Sequence, residues 1–157
     1  MKEVTNKSTG SYSTLTVLEA RLAVLQKTAK TNDKSTQLPL AEVYKTMAEI
    51  YFRQSNYLES GKLYSQALSI YARLQNHQGL IKCQNAQASI CLAKGDLAAA
   101  KSKLEGLLTL FKKHPDPNTE HIVLNNIGIV HEKLSPLYEL LLEKYSIQKK
   151  NGFKILL

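Results

Sequence analysis

The chain has no tryptophan, two cysteines, seven glycines and four prolines in 157 residues, and no apolar run approaches membrane-spanning length. Each scarcity excludes something. Cys83 and Cys91 stand eight residues apart in one expected helix, about 12 Å at 1.5 Å rise per residue, so they cannot bridge each other. A fold held by packing in a reducing cytoplasmic setting is the expectation. Met1 is followed by Lys2, Glu3, Thr5, Asn6 and Lys7, not by the apolar core of an export signal. No Val/Ile/Thr-rich run alternates with period two, which argues against a sheet. With 43% hydrophobic and 22% charged residues, the economical reading is an all-α chain forming one domain or one short repeat array.

Catalytic constellations are missing too. There is no Gly-rich phosphate loop, no H-E-x-x-H and no paired cysteine spacing for zinc, so no enzyme activity, cofactor or metal is expected. His77, His114, His121 and His131 are scattered over loops and different helix faces. Neither cysteine lies beside a cluster of bases that would activate a thiolate, and both read as small core hydrophobes.

What the chain does have is a recurring helix-pair layout. Tyr44, Met47, Ala48 and Tyr51 share one helical face at i, i+3, i+4 and i+7. After a break at Ser55-Asn56, a second apolar face is carried by Tyr57, Ser60, Gly61, Tyr64, Ala67 and Leu68, with Ser60 and Gly61 small enough for close helix approach. A shift of about 40 residues places Gly95-Asp96-Leu97 on the turn, Ala100 on Ser60, Leu104 on Tyr64 and Leu107 on Ala67. A second shift places Leu124-x2-Ile127-Gly128-x2-His131 on Tyr44 to Tyr51, which makes His131 a packing residue. The reverse shift sets Val17, Ala20 and Val24 over Tyr57, Ser60 and Tyr64. The tyrosines at 44, 51, 57, 64 and 71 then read as core rather than as a base-stacking series.

The pattern Tyr44-x2-Met47-Ala48-x2-Tyr51 followed by Ser60-x3-Tyr64 and Ala67 resembles the tetratricopeptide repeat (TPR) family, with Met, Ala and Ser in place of the family's Leu, Gly and Ala. Its longer spacing is similar to the extended helix pairs of kinesin light chains and LGN-type adaptors. The resemblance implies antiparallel helical hairpins stacked as a right-handed superhelical array. Seven helices are expected: Thr14–Lys30, Pro39–Gln54, Tyr57–Asn76, Leu80–Ala93, Leu97–Lys113, Thr119–Leu134 and Ser135–Lys150. They make a single repeat domain over residues 13–150, with a flexible lead at 1–12 and an apolar tail at 151–157. Pro39 suits a first helical turn, and Asp96 can cap the fifth helix.

By the same resemblance, the first helix of each pair lines a concave groove and the function is that of a non-catalytic protein-binding adaptor or scaffold. The partner-facing residues would be Glu42, Lys45, Glu49 and Arg53, then Lys82, Asn85 and Ser89, then Asn125, Asn126 and Ile129. Amides both donate and accept, so they can hold an extended peptide backbone. The net charge of +8 is unevenly spread: residues 77–113 hold Lys82, Lys94, Lys101, Lys103, Lys112 and Lys113 against Asp96 and Glu105, whereas the segment after His114 is balanced. That asymmetry favours an acidic protein or peptide partner. A self-assembling fragment of a longer array is the alternative, and a basic nucleic-acid binder a lesser one. Leu137, Leu140, Leu141, Leu142, Tyr145 and Ile147 leave the last expected helix too apolar for one neighbour, so self-association through it is a further expectation.

Overall fold

A computed structural model describes residues 6–29, 33–115 and 121–135. Among them are six helices and no strand: α1 (Asn6–Thr28), α2 (Lys34–Arg53), α3 (Tyr57–Arg73), α4 (His77–Ala93), α5 (Leu97–Lys113) and α6 (residues 121–135). The expected seventh helix and apolar tail lie outside the described residues.

One turn, used three times, sets the architecture. Helices α3, α4 and α5 each have 17 residues and are separated by three-residue connectors, so their N-caps Asn56, Asn76 and Asp96 recur every 20 residues. In each connector the middle residue has positive φ: Ser55 at 60°, Gln75 at 53° and Gly95 at 78°. Its N–H bonds the carbonyl three residues back, and the next N–H reaches five back, as in Asn76 N–H to Tyr71 O at 2.9 Å. This crossed pair satisfies the last helical carbonyls and turns the chain sharply. The cap side chains then take up an open N–H of the next helix: Glu59 at 3.3 Å, Gly79 at 3.0 Å and Ala99 at 3.0 Å.

Packing follows the same step. α3 lies against both α2 and α4, α5 against α4, and α1 against α2. Ala41, Tyr44, Ala48, Tyr64, Ala67, Tyr71 and Cys83 form the first core cluster, and Ile81, Ala88, Ala100, Leu104, Leu107, Val123 and Val130 the second. Between α2 and α3, the Ser60 hydroxyl donates to the Ala48 carbonyl at 2.8 Å. Both residues are fully buried, and only small side chains permit that approach. Tyr44, Tyr64 and Tyr71 are buried, while Tyr51 and Tyr57 are half-buried at the edge.

Several sequence expectations are corrected. α1 begins at Asn6, inside the stretch read as a loose lead, and ends at Thr28. α2 starts five residues before Pro39, because Asp33 accepts the Ser35 N–H at 2.9 Å. Gln37, which precedes the helix expected from Pro39, is therefore helical and buried, and it accepts a hydrogen bond from Arg73 at the end of α3. α3 stops at Arg73, and α4 starts at His77 rather than Leu80, since Asn76 ends one helix and caps the next.

The glycine expectation reverses. A Cβ at Gly61 would meet nothing within 4 Å, so Gly61 is not the point of close approach. Gly79 is: a Cβ there would sit 2.5 Å from the Tyr71 ring. On α1, Leu15 is buried against Val43 and Met47, with Leu18, Leu22 and Leu25 beside it. Val17 and Val24 stay 66% and 61% exposed, and Ala20 is exposed as well, because no described helix covers the side that α3 turns to α2. The matching side of α6 is open too. Leu124, Gly128 and His131 are exposed, and Val123, Asn126 and Val130 carry the burial. His131 is thus not a packing residue.

Candidate partner-binding face

The polar residues singled out on the first helices divide into paired, structural and open ones. On α2, Lys45 Nζ donates to Glu42 Oε2 at 2.6 Å one turn away. The Tyr71 hydroxyl donates to the other oxygen of Glu42 at 2.5 Å, tying α3 to the same carboxylate. Burial pushes the Glu42 carboxyl up, but hydrogen bonds from Lys45 and Tyr71 and the charges of Lys45 and Lys82 outweigh it, so the group lies below its ordinary value of 4.5. Tyr71 moves the opposite way, raised by burial and then by its bond to Glu42.

Cys83 of α4 shares one buried cluster with Ala41, Tyr44 and Ala48 of α2, which places α4 beside α2 on this face. The Cys83 thiol records the same proximity: burial pushes it up to about 12, with smaller effects from Lys45, Glu42 and Glu49. A thiol so placed stays protonated and unreactive. Glu49 is half-buried and Arg53 exposed at the end of α2. Both charges reach the buried Tyr64 hydroxyl, which burial raises first and most.

Further along, the sequence expectation changes character. Asn126 is 7% exposed, so it does not face a partner openly. Its Nδ2 donates to Asn85 Oδ1 at 2.9 Å and to Ser89 Oγ at 3.0 Å. Three of the ten chosen residues therefore form one bridge between α4 and α6. The bridge fixes the Asn85 amide plane, and half-buried Asn85 keeps its own Nδ2 as a donor with no partner among the described residues. Asn125 is exposed next to it, and Ile129 is half-buried. The separations of 41 and 37 residues bracket the 40-residue hairpin step, which was the available signal for this contact.

Sequence reasoning also missed a histidine pair. His77, opening α4, and His114, capping α5, stack with ring centroids 3.5 Å apart and planes 6° from parallel. His77 Nδ1 is buried without a hydrogen-bond partner. Face-to-face rings do not aim their lone pairs at a common metal, and among the described residues no three His, Cys, Asp or Glu side chains gather to hold one. Both cysteines are free, Cys83 buried and Cys91 half-buried. No helix among the described residues is long and apolar enough to cross a membrane.

Sequence comparison agrees with this geometry. The family model described as Tetratricopeptide repeat matches residues 39–113, from the second turn of α2 to the end of α5. No curated protein matches the chain. Two hairpins on a 40-residue step, with small residues at the helix contacts and a family match over the same span, identify residues 39–113 as a tetratricopeptide repeat segment.

Proposed function

We propose that the chain is a non-catalytic adaptor that takes an extended protein segment along the polar face shared by α2, α4 and α6. Tetratricopeptide repeats mediate protein–protein interaction, which sets the class. The observation that carries the finer reading is the Asn126 bridge to Asn85 and Ser89. A side-chain amide already locked in orientation loses little rotamer freedom when it meets a peptide backbone, so its hydrogen bond is retained almost whole. Lys82 and Arg53, exposed on the same face, favour carboxylates in the bound segment, and the setting is cytoplasmic.

Overlapping peptides of acidic and neutral composition, arrayed and probed with the full chain, test this, followed by anisotropy on the best binder. Asn125→Ala should weaken binding by about 1 kcal/mol, roughly fivefold, with unchanged stability, and Asn85→Ala should weaken it at least as much while also loosening the α4–α6 bridge it shares with Asn126. Undiminished affinity in both folded variants overturns the reading. A second reading, an array segment that packs on a further helix, is supported by the uncovered Val17 and Val24 of α1. Light scattering across a concentration series separates the two, since only the second requires association of the chain with itself.

A further inference from the structure

A second recess lies on the other side of α4. At 100° per residue, Lys82, Asn85 and Ser89 point one way from the α4 axis, while Leu80, Gln84 and Gln87 point about 180° away. The second set floors a groove of about 550 Å³ walled by α3 and α5. One end is apolar, with Leu68 and Ala72 from α3, Leu80 from α4 and Leu110 from α5. The other end is polar: Gln87 Nε2 donates to Ser65 Oγ at 3.0 Å, and Lys103 Nζ reaches Gln87 Oε1 at 3.5 Å.

We propose that this groove binds an acidic amphipathic helix of a partner protein, independently of the α2/α4/α6 face. Charge selects the acid. Lys103 has one neutral partner at the outer limit of hydrogen bonding and no carboxylate within ion-pair distance among the described residues. Lys113, about 60° around α5 from Leu110, stands at the apolar end, so Lys103 and Lys113 flank the apolar patch along α5. Geometry selects the helix. The walls and floor are helices whose backbone groups are spent internally, so an extended strand would find no ladder to join, whereas a helix brings its own. From Leu80 to Gln87 the floor runs about 10 Å, two helical turns. That length suits an apolar pair at i and i+4, with an acidic residue a turn to each side.

The probe is a 14-residue helical peptide with two leucines at i and i+4 flanked by glutamates, together with a twin carrying glutamine in place of each glutamate. Full chain and labelled peptide are titrated by anisotropy at low and high salt. The acidic peptide should bind, and the glutamine twin should bind about tenfold more weakly or worse, with the difference shrinking at high salt. Lys103→Glu should cost about tenfold. Gly106→Phe should abolish binding without unfolding the chain, because a Cβ at Gly106 meets nothing within 4 Å and the ring fills the groove from α5. No binding of the acidic peptide at millimolar concentration, or full affinity in Gly106→Phe, overturns the proposal. Loss of this peptide's binding in Asn125→Ala, with Gly106→Phe unaffected, would assign it to the other face instead.

Discussion

Replacing Gly79 by alanine should destabilise the chain, although the same change in an ordinary helix stabilises it. Inside a helix, alanine is favoured over glycine by about 1 kcal/mol. At Gly79 the added methyl would lie 2.5 Å from Cγ and Cδ1 of Tyr71 and 2.7 Å from Cε1. Carbon atoms rest at about 3.5 to 4.0 Å, so the ring or the helix must move by roughly 1 Å. The ring has nowhere to go: Tyr71 is fully buried, and its hydroxyl is held by Glu42. The helix is held as well, since the Gly79 N–H is the one bonded by the Asn76 cap. Overpacking of this kind costs about 1 to 3 kcal/mol, enough to exceed the propensity gain and lower Tm by several degrees at about 2 to 4 °C per kcal/mol. Gly61→Ala is the control, identical in chemistry and set in helix α3 with open space around it, and it should raise Tm slightly. Thermal melts of both variants, with Tyr71→Leu and the Gly79→Ala/Tyr71→Leu double variant, close the cycle. If Gly79→Ala melts at or above the parent, or costs as much with Tyr71 removed, the close approach of α4 to α3 is wrong.

Three further outcomes are expected. Gln75→Gly should stabilise by about 0.5 to 1 kcal/mol, because Gln75 holds φ at 53° in a turn that glycine enters without side-chain strain; an unchanged urea midpoint would contradict the turn. Native thiol labelling should modify half-buried Cys91 well before Cys83, whose thiol is buried and raised to about 12; equal rates would refute that placement. The Glu42 carboxyl is depressed in the folded state, so its contribution is complete above its ordinary value of 4.5 and is lost as pH falls through the lower folded value. Below about pH 5 the parent should therefore lose Tm faster than Glu42→Gln does, and parallel curves would show that the Lys45 and Tyr71 contacts do not act on stability.

Local chemistry was legible in the sequence and lateral chemistry was not. The fifth helix was expected over Leu97–Lys113 and is found there, because Gly95, Asp96 and the closing lysines are signals the helix carries in its own sequence. The expected helices Tyr57–Asn76 and Leu80–Ala93 left a gap at His77-Gln78-Gly79 because a three-residue connector makes Asn76 serve two helices, and polar residues in a first turn look like a loop. Gly61 and Gly79 are indistinguishable as letters. Which one meets a neighbour depends on a tyrosine eight residues before Gly79, set by the crossing of α3 and α4. His131 followed the repeat register correctly and is still exposed, since a buried position needs a covering helix as well as a face.

Asn126 shows how fold and candidate site share residues. The 40-residue step puts the first helices side by side, so a polar residue on one of them has two neighbours to choose from, a ligand in front and the next repeat to the side. Asn125 and Asn126 are separated by 100° around α6, enough to send one out to solvent and the other against α4. The inward amide is nearly buried and needs its partners, because an unsatisfied buried donor costs about 1 to 3 kcal/mol. Asn85 and Ser89 supply them. Removing Asn126 would therefore loosen α6 from α4 as well as disturb the face, whereas removing Asn125 touches the face alone. A binding defect separable from stability is consequently the property of Asn125, and a coupled defect the property of Asn126.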